Sequence, residues 1–234
     1  MALGHKTLDD LLNPISKQLG HAKVAQHVGL PKWDFKPARV TDGLSHDQLV
    51  NMFVDEAEKV RVQVKRCSRA DLAATIAEIA GQGEPDTGAA CSVVCAADDR
   101  FEQAGVYDAL NAQDAVTKVS VWDEARGQEN VDDAAVATYG VTYATGGIAE
   151  TATIVQPTSA SCGRAISLLP LVHIAVVDAD AIVPTMGEIM AGYEGQKLPS
   201  QVCFISGPSA TADIELVRVE GVHGPMYVHY VIVE

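Results

Sequence analysis

Basic residues are scarce in this chain: 17 Lys and Arg stand against 31 Asp and Glu over 234 residues, a formal charge of −14. Such a surface repels nucleic acid and anionic membranes over most of its extent, so neither is expected as a partner. Cysteine is sparse and odd in number, at Cys67, Cys91, Cys95, Cys162 and Cys203, with no Cys-x-x-Cys. That usage argues against a secreted disulfide framework. No apolar run reaches transmembrane length, and the opening residues from Met1 to Lys6 lack a signal peptide's apolar core. A cytoplasmic protein without a membrane span is the expectation. Phosphate-loop, dinucleotide, zinc-protease and EF-hand signatures are absent as well, so function must be read from less standard features.

What is there describes an ordinary globular chain. Apolar content of 47% and charged content of 21% fit one sizeable core and neither disorder nor a membrane protein. Cys91 and Cys95 have a spacing that would suit a metal on a helix, but Ala90–Ala96 reads as a buried strand. On a strand the two Cα atoms stand about 13 Å apart, too far for one zinc or one cluster. No metal and no cofactor is expected.

Residues 1–44 differ from the rest and read as a peripheral arm. A helix begins near Thr7-Leu8, Pro31 and Pro37 break regular structure, and Trp33 and Phe35 are expected to pin the arm down. From residue 45 to 234 one α/β domain is expected. Ser45-x-x-Gln48 is a capping box, Ser68-x-x-Asp71 caps a second helix ended by Gly81 or Gly83, and Asp98 or Asp99 opens a third. Strands are expected at Val60–Val64, Cys91–Ala97 and Val116–Trp122. Further ones fall at Val136–Thr142, Thr151–Gln156, Leu171–Val177, Val202–Ser206 and Tyr227–Val233, with a helix from Pro184 to Tyr193. The βα alternation with apolar strands implies a mainly parallel sheet with helices on both faces, and a mixed portion in the C-terminal half.

Two Gly-rich junctions carry the site hypothesis: Gly146-Gly147-Ile148-Ala149-Glu150-Thr151 and Ser206-Gly207-Pro208-Ser209-Ala210-Thr211-Ala212-Asp213. Small residues and hydroxyls after a strand leave backbone N–H groups for an anion, so Gly147, Thr151, Gly207, Ser209, Thr211 and Asp213 are candidate ligand-binding positions. Asp213 alternatively stabilises a helix start, and Ser209 and Thr211 alternatively serve as helix caps. Arg164, after a Ser-rich loop, offers a bidentate carboxylate clamp, with a surface ion pair as the plain alternative. His223 sits on the tight Gly221–Pro225 turn, where an imidazole either projects into a cleft or bonds the turn's backbone. His173 and His229 fall within strands and read as buried core residues. Both junctions, Arg164 and the His223 turn are expected to converge on one cleft.

These segments resemble a known family. The series Gly140-Val141-Thr142, Ile148-Ala149-Glu150-Thr151, Ser167-Leu168-Leu169-Pro170, Ser206-Gly207-Pro208-Ser209, Thr211-Ala212-Asp213-Ile214-Glu215 and Gly221-Val222-His223-Gly224-Pro225 is similar to the lactate-utilisation (LUD-domain) proteins of the C type. The resemblance runs in order over residues ~45 to 234, and the succession of motifs is specific. It implies the fold of the ribose-5-phosphate isomerase, glucosamine-phosphate deaminase and CoA-transferase group. It also implies a part in oxidation of L-lactate to pyruvate beside iron–sulfur partner subunits. Related CoA-transferases use a Glu as nucleophile, which makes Glu150 a candidate catalytic residue together with His223. Two positions depart from the family pattern: Ala152 replaces a Gly, and Ala210 replaces a Lys or Arg that would help hold phosphate. Three roles follow: a subunit acting on a small carboxylate or phosphate-bearing ligand, a small-molecule sensor, or an assembly factor for the iron–sulfur partners.

Overall fold

The computed structural model describes residues 8–22, 38–211, 219–221 and 223–234. It divides into two units, residues 1–39 and 40–234. In the first, α1 spans Leu8–Gln18. Trp33 and Phe35 lie outside the described residues.

The second unit is built on six strands: β1 (Gln63–Cys67), β2 (Cys91–Cys95), β3 (Val116–Val121), β4 (Tyr139–Tyr143), β7 (Val172–Asp178) and β12 (Tyr227–Val233). They form one sheet in the order β1-β12-β7-β4-β2-β3, and every neighbouring pair is parallel. Four shorter strands, β5 (Gly146–Ile148), β6 (Thr153–Pro157), β8 (Ile182–Val183) and β9 (Val202–Ile205), make a mixed sheet ordered β8-β5-β6-β9. A two-stranded ribbon pairs β10 (Ala210–Thr211) with β11 (Val219–Glu220). The mainly parallel sheet and the mixed C-terminal portion are as the alternation predicts.

Helices start where polar caps satisfy their first N–H groups. The capping box of Ser45 and Gln48 opens α2 (His46–Lys59), and a second box, Thr185 with Glu188, opens α8 (Met186–Gly192). Ser68 caps a short 3-10 turn that leads into α3 (Leu72–Ala80). Asp98 accepts from the Arg100 N–H and opens α4 (Asp99–Ala104), which Gly105 joins to α5 (Val106–Asn111). Three expected strands start late: Val136 ends a helix and Thr151 a 3-10 turn, so β4 begins at Tyr139 and β6 at Thr153. Val60 caps α2 and Arg61 takes a left-handed φ of 65°, so β1 begins at Gln63 rather than Val60.

Right-handed crossovers fix the faces. α3 carries the chain from β1 to β2, and α4–α5 from β2 to β3, so these helices share one face. α6 (Gln128–Val136) and α7 (Ala165–Leu168) return the chain towards β4 and β7 over the other. Neighbouring residues of β4 show the result. The Tyr139 hydroxyl donates to Gly83 O (2.6 Å) just beyond α3, while a Cβ on Gly140 would lie 1.9 Å from Ile166 O in α7. The rest of the second face is covered by α2 and the mixed sheet. There Phe53, fully buried, stacks on Tyr230 at 5.4 Å. Aromatic burial of this size dominates the energetics of that layer.

Candidate functional site

Most of the sequence-predicted residues collect in one place, held by hydroxyls. Thr151 Oγ1 lies 2.7 Å from Thr153 Oγ1, which lies 2.6 Å from Ser206 Oγ, so the two Gly-rich junctions are joined side chain to side chain. Beneath them the Tyr230 hydroxyl accepts from the Gly207 N–H (3.2 Å), with Ile205 O (2.8 Å) and Ala152 O (3.0 Å) within its donor reach. The His223 turn packs onto the second junction. Ser209 N–H donates to Pro225 O, Gly221 N–H donates to Ser209 O, and a Cβ on Gly224 would lie 3.2 Å from Ser209 Cβ. His223 itself is exposed, and Thr211 pairs with Val219 in the ribbon. Asp213 lies outside the described residues, as does Glu215.

The backbone donors proposed for an anion are used differently. The Gly207 and Ser209 N–H groups are spent on Tyr230 and Pro225. Gly147 sits mid-strand in β5, registered with Ile154 and Ile182, where a Cβ would come within 3.1 Å of Phe53. Its small size is a packing requirement. Glu150 is half-buried in the turn after β5, and its N–H donates to Pro184 O. Ala152 closes that turn at φ 47° and ψ 44°, the left-handed region that favours glycine, which accounts for the glycine expected here from the resemblance. Its fully buried methyl offsets part of the strain. Removing one hydroxyl tests how firmly the junctions are tied. Tyr230→Phe strips Gly207 N–H of its partner and should cost about 1–3 kcal/mol, read as a lower urea midpoint at unchanged m-value.

Arg164 stands apart from this cluster, so the single cleft expected from the sequence divides in two. Ala97 N–H donates to Ser161 O at the carboxyl end of β2, which places the loop before Arg164 at that end of the sheet. The Gly221–Pro225 turn precedes β12, at the amino end, where Met226 N–H donates to Leu171 O. α7 separates the two: Arg164 stands at its start, and Leu168 O lies 3.8 Å from where a Cβ on Gly224 would be. Open α/β sheets hold ligands beyond the carboxyl ends of their strands, which is the Arg164 side. There Arg164 borders a cleft of about 550 Å³, with Thr158, Ser200 and Gln201 as polar lining and Trp122 as an apolar wall. Its Nη1 donates to Gln201 Oε1 at 3.0 Å. Arg61, Arg66, Arg69, Arg100 and Arg126 each pair with a carboxylate, whereas Arg164 has no carboxylate partner among the described residues.

A second cluster at the same end escaped the sequence reading. The chain leaves β2 for β3 in one direction and leaves β4 for β7 in the other, which makes the β2–β4 boundary the switch point of the sheet. Arg100 lies over the Tyr143 ring at 3.4 Å, donates twice to Asp98 and bridges to Asp178 at 3.4 Å. Asp178 also accepts from Tyr143 Oη (2.8 Å) and Arg69 (2.7 Å). Burial pushes the Asp98 carboxyl up, but the Arg100 hydrogen bonds and charge outweigh it and hold Asp98 below its usual range. Burial, with the bond to Asp178, pushes the Tyr143 phenol up to about 12. Each charge here already has its counter-charge, so the cluster latches four strand ends together. Among the described residues, no three His, Cys, Asp or Glu side chains are placed to hold a metal. Cys91 and Cys95 lie at opposite ends of β2, and burial pushes the Cys95 thiol up to about 12.

Residues 50–233 match the model of the LUD domain. The chain belongs to the LUD-domain family. It is 33% identical over 97% of both chains to lactate utilization protein C of Halalkalibacterium halodurans. Against lactate utilization protein C of Bacillus licheniformis it is 34% identical over 97% of this chain and 95% of that one. A solved DUF162 family protein from Deinococcus radiodurans shares the fold, with a TM-score of 0.53 and 23% identity over 82% of this chain and 99% of the other. No helix among the described residues of this LUD-domain chain is long and apolar enough to cross a membrane.

Proposed function

We propose that this chain is a cytoplasmic component of a bacterial L-lactate utilisation system, acting beside iron–sulfur subunits that carry the electrons. The observation that carries the reading is similarity over 97% of the chain to relatives named lactate utilization protein C. In this reading Arg164 is the cation that receives a small carboxylate or phosphate-bearing ligand, by charge-assisted hydrogen bonds beside Gln201. Its lack of a carboxylate partner among the described residues supports this, because a chain of charge −14 leaves few cations unmatched. Glu150 and His223 do not line the Arg164 cleft, which favours ligand binding or assembly over catalysis at that place. The junction cluster then serves as the frame that fixes β6 and β9 beside it.

Deleting the gene in its native host and following L-lactate consumption tests the proposal. The deletion strain should grow poorly on L-lactate, recover with the wild-type gene, and yield iron–sulfur proteins when a tagged copy is purified from cells. Undiminished lactate consumption would remove the chain from the pathway.

A further inference from the structure

The Arg164 cleft is too large, and too apolar in its lining, for a three-carbon acid. Its volume of about 550 Å³ falls in the range, about 300 to 1,000 Å³, that encloses drug-sized ligands. The polar groups are gathered at one part of the wall, where Arg164 is bonded to Gln201. Trp122, Val131, Leu168 and Leu169 supply the apolar lining. Leu168 and Leu169, which share that lining, are 37% and 46% exposed, an apolar pair left open on the surface. The indole is held in place. A Cβ on Gly163 would lie 2.1 Å from Trp122 Cη2 and Cζ2, so the backbone of residue 163 presses against the ring, and the same indole lines the cleft. A fixed aromatic wall in one lining with an arginine that has no carboxylate partner among the described residues, together with two exposed leucines, describes a site for an anion with a ring attached.

We propose that the ligand of the Arg164 cleft is a carboxylate or phosphate bearing an aromatic ring, with the anion on Arg164 and Gln201 and the ring between Trp122 and the Leu168–Leu169 edge. This rests on reading Arg164 as the anion clamp. Lactate would fill only the polar part, leaving the indole and both leucines wet. The chain therefore meets lactate metabolism through a larger molecule than lactate, as a binding partner of an aromatic cofactor or effector.

L-Lactate and L-3-phenyllactate differ only by the ring, which makes them a matched pair of probes, and phenyl phosphate reports on the head group. The chain has two tryptophans, so in a Trp33→Phe background the emission comes from Trp122 alone. Titration should show L-3-phenyllactate quenching Trp122 and binding about ten- to a hundredfold more tightly than L-lactate, the span expected for burying one phenyl ring. Phenyl phosphate binding better or worse than phenyllactate decides the head group. Arg164→Ala should weaken every probe, whereas Leu169→Ser, at a half-exposed position that cannot unfold the chain, should weaken only the ring-bearing ones. Equal affinity for lactate and phenyllactate, with both lost in Arg164→Ala, would overturn the aromatic inference and leave the anion clamp standing. Binding that ignores Arg164, or no binding by any probe, would overturn both.

Discussion

Gly140→Ala is expected to destabilise the protein by about 3 kcal/mol or more, lowering the melting temperature by roughly 6–12 °C for a domain of this size. The cause is a backbone collision. A Cβ at this position would lie 1.9 Å from Ile166 O and 2.9 Å from Pro170 Cγ, and a carbonyl within α7 cannot rotate away as a side chain can. α7 would have to lift off the sheet, taking with it Ala165, Leu168 and Leu169, which line the Arg164 cleft. Stability and ligand binding should therefore fall together. Gly192 is the control: nothing lies within 4 Å of a Cβ there, it ends a helix, and alanine should leave the melting temperature unchanged or slightly higher. If Gly140→Ala melts like the wild type, α7 does not pack where the structure puts it.

The same contact explains how the sheet builds its carboxyl-end cleft. β4 offers a tyrosine to one face and a glycine to the other, so a helix of only four residues can sit directly on the backbone. That close approach sets Arg164 at one end of α7 and the Leu168–Leu169 pair at the other, all lining one cleft. On the far side of α7, Ser209, Gly224 and Tyr230 tie the amino end of β12 to the mixed sheet. The Arg100–Tyr143–Asp178 latch meanwhile fixes the loops that leave the strands at their carboxyl ends.

Much of this was legible in the sequence, for identifiable reasons. Caps such as Ser45 with Gln48, and Ser68 with Asp71, act within three residues, and apolar runs such as Val172–Val177 stay buried on both faces, so local patterns sufficed. β5 was hidden because Gly146 and Gly147 have no strand propensity; they form a strand because Phe53, Ile182 and Ile189 leave no room for anything larger. The start of β1 was hidden because nothing in Val60-Arg61-Val62 announces that Arg61 turns left-handed. The latch joins Arg69, Asp98, Arg100, Tyr143 and Asp178 across up to 109 residues, and only the strand order brings them together. One signal was available: Asp98 and Arg100 directly follow an apolar strand, where carboxyl-end loops carry chemistry. Trp122, directly after β3, carried the same signal for the wall of the Arg164 cleft.

Acid should unfold this protein earlier than its carboxylates alone would dictate, because two imidazoles are buried neutral. His173 is 0% exposed and His229 8%, and each has an Nδ1 without a hydrogen-bond partner among the described residues. Burial lowers His173 to about 4; burial, helped by the charge of Lys65, lowers His229 to about 4. His173 Nε2 lies 2.9 Å from Thr142 Oγ1, so a second proton on Nδ1 would create a cation with no acceptor in the core. For a base whose folded pKa is depressed, the unfolded chain binds the proton first. The contribution to stability is thus complete above about 6.5, falls as pH drops below that value, and is exhausted near 4. Well below 6.5 each histidine adds a slope of about 1.4 kcal/mol per pH unit, and the whole loss is on the order of a few kcal/mol per imidazole. Net charge works the other way, since acid relieves the self-repulsion of a chain at −14. Comparing variants cancels that term. Urea unfolding between pH 7.5 and 5.5, above the sequence pI of about 4.8, should show wild-type stability falling more steeply than that of His173→Gln combined with His229→Gln. The double substitution will cost stability at pH 7.5, but the decisive readout is the slope. Parallel pH profiles for the two proteins would mean that neither imidazole is held neutral by the core.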